Sequence, residues 1–246
     1  MAGTPPAGEK LGRLWGVGLG PGDPQLLTLR AVEALKSAQV IFHVAGPHSR
    51  ESVSERIVAA VTGCAAKSRP LLFSMSTAAA VRRAAVRAAA EEVAAAMRNG
   101  QDCAFATIGD PLVYSTFTYL QREIRQLLPA AVIEVVPGIT CFQAAAAAWG
   151  EPLVEDEEVL TLVPRWNPDR RHRQALEAAD TVVCLKTYHD RATVLDALHA
   201  SLNPAAILYA ARVGHGDQRL ETEPAAIAEQ PIDYLSLVIA KRGERA

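Results

Sequence analysis

The chain of 246 residues carries 25 lysines and arginines against 27 aspartates and glutamates, and half of its residues are apolar. A formal charge of −2 excludes the global basic field that gathers nucleic acid, so an anionic ligand must be met by local cations. The length allows one large domain or two small ones with a substantial core. The opening "MAGTPPAGEKL", residues 1–11, has no apolar segment of a signal peptide and reads as a disordered tail. No apolar run approaches the ~20 residues needed to span a bilayer.

From there strands and helices alternate. "RLWGVGLG" (13–20) reads as a strand with a glycine-rich end. "DPQLLTLRAVEALKSA" (23–38) places Leu26, Leu27, Ala31, Leu35 and Ala38 on one helical stripe. "QVIFHVA" (39–45) is the next strand, and Ser76 or Thr77 is placed to cap a long alanine-rich helix closed by Asn99-Gly100. Within that helix Arg87 and Glu91 lie one turn apart. "DCAFATI" (102–108) is a strand, and after it Phe117, Leu120, Ile124, Leu127 and Leu128 share one helical face. "VIEVVPG" (132–138) precedes a small-residue helix, "TCFQAAAAAWG". Strands too apolar to keep a wet face predict a parallel sheet covered on both sides.

The acidic, turn-rich "GEPLVEDEE" (150–158) interrupts this pattern. Beyond it the strands "EVLTLVP", "TVVCLKT", "AAILYAARV" and "DYLSLVIAKR" alternate with helical candidates "PDRRHRQALEAA" and "DRATVLDALHASL". The fold class is therefore α/β in two α/β domains, residues 12–138 and 139–246. Cys64, Cys103, Cys141 and Cys184 lie far apart with no C-x-x-C pair. That spacing offers no metal site, and Cys103, Cys141 and Cys184, in or beside apolar runs, read as buried thiols in a reducing cytosol.

The segment "GVGLGPGDP" looks at first like a phosphate loop. A dinucleotide fingerprint needs glycines at relative positions one, three and six, and counting from Gly16 or Gly18 the sixth position is Pro21 or Asp23. Pro21 also removes a backbone donor. Glycines at a strand's carboxyl end still let a ligand approach the backbone, and ligands of open α/β sheets collect there. Three strand ends are dressed in this way: Gly18 to Asp23, Thr107 to Ser115, and Pro137 to Cys141. Each alone reads as a tight turn with a helix cap. Together they predict one rim.

Three stretches, "VGLGPGDPQLLTLRAVEAL", "TIGDPLVYSTFTYL" and "VVPGITCFQAAAAAWGEPL", resemble the signature blocks of the tetrapyrrole methylases, in the family's order. "DPLVYSTFTYLQ" is similar to the subgroup that methylates carbon 20 of precorrin-2 or its cobalt complex, whereas "HVAGPHSRES" matches nothing in the family pattern. The resemblance implies two α/β domains with a cofactor cleft between them, a cytoplasmic homodimer, and S-adenosylmethionine as cofactor. It places cofactor contacts at Pro21; at Ile108, Gly109, Asp110, Val113 and Ser115; at Thr140 and Cys141; and at Leu185 and Lys186. Asp110 either meets the cofactor's ribose or ammonium or fixes its loop. Methyl transfer to an electron-rich carbon needs orientation more than a base, and Tyr114 is the polar group expected beside the methyl path. Its alternative is a half-buried helix tyrosine.

A polycarboxylate tetrapyrrole substrate would be met by His43, His48, Arg50, Arg165, Lys186, Arg212 and His215; all but Lys186, whose strand is apolar, otherwise read as solvated charges. No nucleic acid or membrane partner and no metal is expected. Other readings stay open: a methylase acting at another ring carbon, one with a macromolecular substrate, and a cofactor-binding protein without turnover.

Overall fold

The most apolar stretches of the amino-terminal half become the centre of a five-stranded sheet. In the computed structural model, which describes residues 11–45, 52–63, 67–74, 76–188 and 190–243, the chain divides into two units, Met1–Thr140 and Cys141–Ala246. Of the expected tail at 1–11, all but Leu11, which packs on a core of the first unit, lies outside the described residues, as do His48, Arg50 and Cys64. The first unit holds β1 (Leu14–Gly18), β2 (Val40–Ala45), β3 (Ser68–Leu72), β4 (Cys103–Thr107) and β5 (Ile133–Val136). Their order is β3-β2-β4-β1-β5 and every pairing is parallel.

Period-two alternation divides the residues of these strands between two cores. Leu14, Phe42, Cys103 and Phe105 pack with α3 (Ala79–Arg98) and α4 (Phe117–Leu127). Trp15, Val17, Ile41, Ala104 and Ala106 pack with α1 (Leu29–Ser37) and α2 (Val53–Thr62). Both faces are covered, as continuous apolar strands require. On α4, Phe117, Leu120 and Ile124 are fully buried, and the Phe117 ring stacks on Phe105 with centroids 5.8 Å apart. Gly16 is what admits that ring: a Cβ there would lie 2.2 Å from it. Burying such a side chain contributes about 2–3 kcal/mol.

Three local details differ from the sequence reading. Residues 23–38 do not form one helix. Asp23 caps a short 3-10 turn, Pro24–Leu26, and Thr28 then caps α1 after Leu27 returns to extended backbone. The start of α3 lacks a side-chain cap; Ser76 instead accepts from the Ala78 N–H, and Arg82 donates to the Ser76 and Thr77 carbonyls. α2 and β3 form where no element was expected.

The second unit contains α5 (Cys141–Trp149), β6 (Leu160–Val163), α6 (Arg170–Ala178), β7 (Thr181–Leu185) and α7 (Arg191–Leu202). It continues with β8 (Pro204–Ala211), β9 (Arg219–Glu221), α8 (Pro224–Glu229) and β10 (Ser236–Arg242). The order is β6-β7-β10-β8-β9; β6 and β7 are parallel, while β10 runs antiparallel between β7 and β8. Val182, Cys184, Tyr209, Val238 and Ala240 pack with Leu176 of α6 and with Val194, Leu198 and Leu202 of α7. Arg242 closes this core at one end. It donates to the carbonyls of Leu176, Glu177 and Ala179 around the end of α6 and to that of Ser201 near the end of α7. A cation there satisfies acceptors that a helix end otherwise leaves unpaired.

The wiring of the first sheet also picks out a location. β1 and β4 are neighbours, but β1 leads through α1 toward β2, and β4 leads through α4 to β5 on the other side. The two connections leave on opposite faces of the sheet, α1 on one and α4 on the other. Such a switch point opens a crevice where ligands of α/β sheets bind.

Candidate functional site

At that switch point the three dressed strand ends meet, backbone against backbone. A Cβ on Gly18, at the end of β1, would lie 2.6 Å from the Gly138 Cα and 2.7 Å from the Gly109 carbonyl oxygen. A Cβ on Gly138 would lie 2.3 Å from that same oxygen. Only glycine permits this approach. Gly20 and Gly109, both left-handed, form an isolated antiparallel bridge: the Gly109 N–H donates to the Gly20 carbonyl at 2.7 Å, and the return bond is 3.3 Å. A Cβ on Gly109 itself would meet nothing within 4 Å, so this backbone borders open space.

Asp110 ties the arrangement together. One carboxylate oxygen accepts from the Leu112 N–H at 2.8 Å within its own loop. The other accepts from the Gly138 N–H at 3.0 Å, joining the loop after β4 to the loop after β5. Of the two roles considered for Asp110, the observed hydrogen bonds are those of loop fixing. Pro21 is buried beside Gly20, and Ile108 and Val113 are half-buried apolar side chains on either side of Gly109-Asp110.

Ser115 is buried, with its hydroxyl 3.2 Å from the Thr107 hydroxyl and accepting from the Phe117 N–H at 3.2 Å. It therefore braces the turn just before α4 against the end of β4. Tyr114, immediately before, is 52% exposed and left-handed at φ 50°. Tyr114 thus precedes α4, and the expectation of a half-buried helix tyrosine is not met. Thr140 is buried, and Cys141 begins α5 with a thiol pushed up in pKa by burial.

On the second unit Leu185 ends β7 half-buried and Lys186 follows exposed, left-handed at φ 56°, its N–H donating to the Ser236 carbonyl. Arg212 follows β8 in the same conformation, φ 53°, its N–H donating to the Leu235 carbonyl. Its guanidinium Nε lies 2.6 Å from Asp217, which raises the arginine's pKa and lowers the aspartate's. His215 lies in the same loop and Arg165 is exposed beyond β6.

His43 is a correction. Its ring is 2% exposed, with Nδ1 2.9 Å from the Ser68 hydroxyl and Nε2 3.9 Å from Glu55. Burial lowers its pKa against the opposing pull of Glu55, so it lacks the charge and the access a substrate carboxylate would need. It joins β2, β3 and α2 instead. The glycines Gly18, Gly20 and Gly138 were absent from the expected contacts. Their signal was present, since each stands at or just beyond the end of a strand in a quoted block.

A family model described as Tetrapyrrole (Corrin/Porphyrin) Methylases matches residues 13–228, and the chain belongs to that family. Among its curated relatives is the cobalamin biosynthesis protein CobIJ of Mycobacterium bovis, 31% identical over 95% of this chain. The chain spans about half of that relative, 47% of its length. The precorrin-2 C(20)-methyltransferase of a Sinorhizobium species is 30% identical, with 95% of this chain and 96% of the relative covered. The cobalt-precorrin-2 C(20)-methyltransferase of Salmonella typhimurium is 28% identical, covering 94% and 97%. Solved structures share the fold. Cobalt precorrin-4 methyltransferase CbiF aligns with TM-score 0.73 at 18% identity, over 93% of this chain and 94% of CbiF. The Thermus thermophilus uroporphyrin-III C-methyltransferase, solved with S-adenosylhomocysteine, aligns with TM-score 0.68 at 22% identity, over 94% and 97%.

Proposed function

We propose that this chain transfers a methyl group from S-adenosylmethionine to carbon 20 of precorrin-2 or of its cobalt complex. The observation that carries the reading is the junction of Gly18, Gly109 and Gly138 at the switch point of the first sheet. It occurs in a chain of the methylase family whose near-full-length relatives are named for that reaction.

The residues present fit such a donor. Gly109 offers bare backbone to open space, and the half-buried Ile108 and Val113 give apolar walls of the kind a flat adenine takes. Pro21 places no N–H in the loop, which disfavours a pyrophosphate and costs a sulfonium nothing. Asp110 and Ser115 act one step back, holding the loops so that the bound geometry does not relax. Thr140, Cys141, Leu185 and Lys186 are further donor contacts under this proposal, and Arg165, Arg212 and His215 are partners for substrate carboxylates.

When bound, the donor supplies a methyl group already activated on a sulfonium. What remains for the protein is orientation, worth ~7–11 kcal/mol in favourable cases, and exclusion of water. Tyr114, held exposed by its left-handed backbone just before α4, is the polar group we place beside the methyl path.

An anaerobic assay offering metal-free and cobalt-bearing precorrin-2 in parallel tests the reading, with the methylated carbon located by NMR. A new methyl at carbon 20 of either substrate is expected. Methylation at another carbon, or no product from folded protein that binds S-adenosylhomocysteine, contradicts it. A cytoplasmic homodimer belongs to the same proposal, and a monomer in analytical ultracentrifugation at micromolar concentration would count against that part. No helix among the described residues is long and apolar enough to cross a membrane.

A further inference from the structure

Non-glycine residues adopt left-handed backbone at five described positions: Tyr114, Asp156, Lys186, Asn203 and Arg212. Asparagine and aspartate tolerate this region, but a long side chain there is uncommon and strained. Lys186 and Arg212 occupy equivalent places. β10 pairs Leu237 with Leu185 and Ser236 with Ala211, so each cation stands one residue past the end of its strand, on either side of the start of β10. Two strand spacings put their backbones roughly 10 Å apart. Glycine would serve both turns without strain, yet a cation is kept at each.

Charge is also sorted along this sheet. The edge where β6 and β7 begin carries Glu155, Asp156, Glu157, Glu158 and Asp180 around a shallow open hollow. Arg165, Lys186 and Arg212 follow the ends of β6, β7 and β8 at the opposite edge. Two acids on that cationic edge have partners of their own. Asp233 accepts from Arg219 at 2.8 Å and from the Leu235 N–H at 2.9 Å. Asp217, 65% exposed, pairs with Arg212 five residues earlier in the same hairpin. No ion pair among the described residues involves Lys186.

We propose that Lys186 and Arg212 are a carboxylate-reading pair, and that Asp217 is the internal carboxylate which a ligand's carboxylate displaces from Arg212. The inference deepens the proposed function and rests on it, because both the tetrapyrrole and the donor's amino-acid end carry carboxylates. An exposed side chain of the hairpin gives up its place at little cost, whereas a guanidinium left without an acceptor does not.

The test uses the full chain and two binding probes that need no turnover. One is uroporphyrin, a stable polycarboxylate tetrapyrrole, beside its methyl ester, followed by fluorescence. The other is S-adenosylhomocysteine, followed by calorimetry. Lys186→Gly and Arg212→Gly are expected to keep or raise the melting temperature, since glycine suits both turns. Each should weaken one probe by roughly tenfold. A loss confined to uroporphyrin acid, with the ester unchanged, assigns the pair to the tetrapyrrole; a loss confined to S-adenosylhomocysteine assigns it to the donor. Changes under twofold for both probes overturn the proposal. Asp217→Asn should tighten the same probe about two- to threefold, and weakening would make Asp217 a clasp of the hairpin instead. Failure of the wild-type chain to methylate either precorrin-2 form would defeat the proposed function and leave these binding outcomes readable.

Discussion

At the carboxyl ends of the first sheet, left-handed backbone falls on Gly20 and Gly109, with Tyr114 the exception; at the equivalent edge of the second sheet it falls on Lys186 and Arg212 as well as on Gly214. The first unit removes side chains so that strand ends can touch one another and expose their peptide groups. The second keeps long charged side chains in the same conformation and accepts the strain. Under the proposed function the difference separates two kinds of recognition, shape read by backbone and charge read by side chain. It follows the topology as well, since the parallel sheet has a switch point and the mixed sheet sets its strand ends beside the start of an antiparallel neighbour.

The comparison breaks most sharply at Gly138. Gly138→Ala should destabilise the protein by about 3 kcal/mol, because its methyl would meet the Gly109 carbonyl oxygen and the Gly18 Cα with no flexible side chain to yield. Urea denaturation checks this, and a loss below 0.5 kcal/mol would mean the junction is loose. In the second unit the equivalent weak point is a charge. Arg242→Ala should cost about 2 kcal/mol by releasing the carbonyls at the ends of α6 and α7, again by urea denaturation.

The smallest of these effects is a pH dependence in the first unit. His43 has a pKa held below its ordinary 6.5 by burial, so the unfolded chain takes the proton first. Its contribution is present above about 6.5 and lost as the pH falls through the folded value. His43→Gln should flatten the dependence of the melting temperature between pH 7 and 5. An unchanged slope would mean the buried ring does not set it.

Much of this architecture was legible in the chain. Phe117, Leu120 and Ile124 share one helical face and are buried on it, and Arg87 meets Glu91 at 3.1 Å one turn along α3. What the sequence hid was hidden for local reasons. β9 is three residues long, too short for a period to show, and α2 and β3 follow a segment of mixed polarity. The break at Leu27 depends on two caps in close succession, Asp23 and Thr28, each compatible with one longer helix. At the site, residue types announced turns and a ligand-facing rim but not who bonds to whom. Only the fold brings Asp110 to Gly138, 28 residues on, or encloses His43 between Ser68 and Glu55. A lone histidine inside a strand does not announce its partners.

Calorimetry with S-adenosylhomocysteine, comparing the native chain with Gly109→Ala, bears most directly on the central claim. The native protein should release or absorb heat on saturable one-to-one binding. The variant's methyl projects into the open space beside the bends and should abolish that signal while the melting temperature falls only a few degrees. Equal affinity for both folded proteins, or no heat from the native one, would contradict the account.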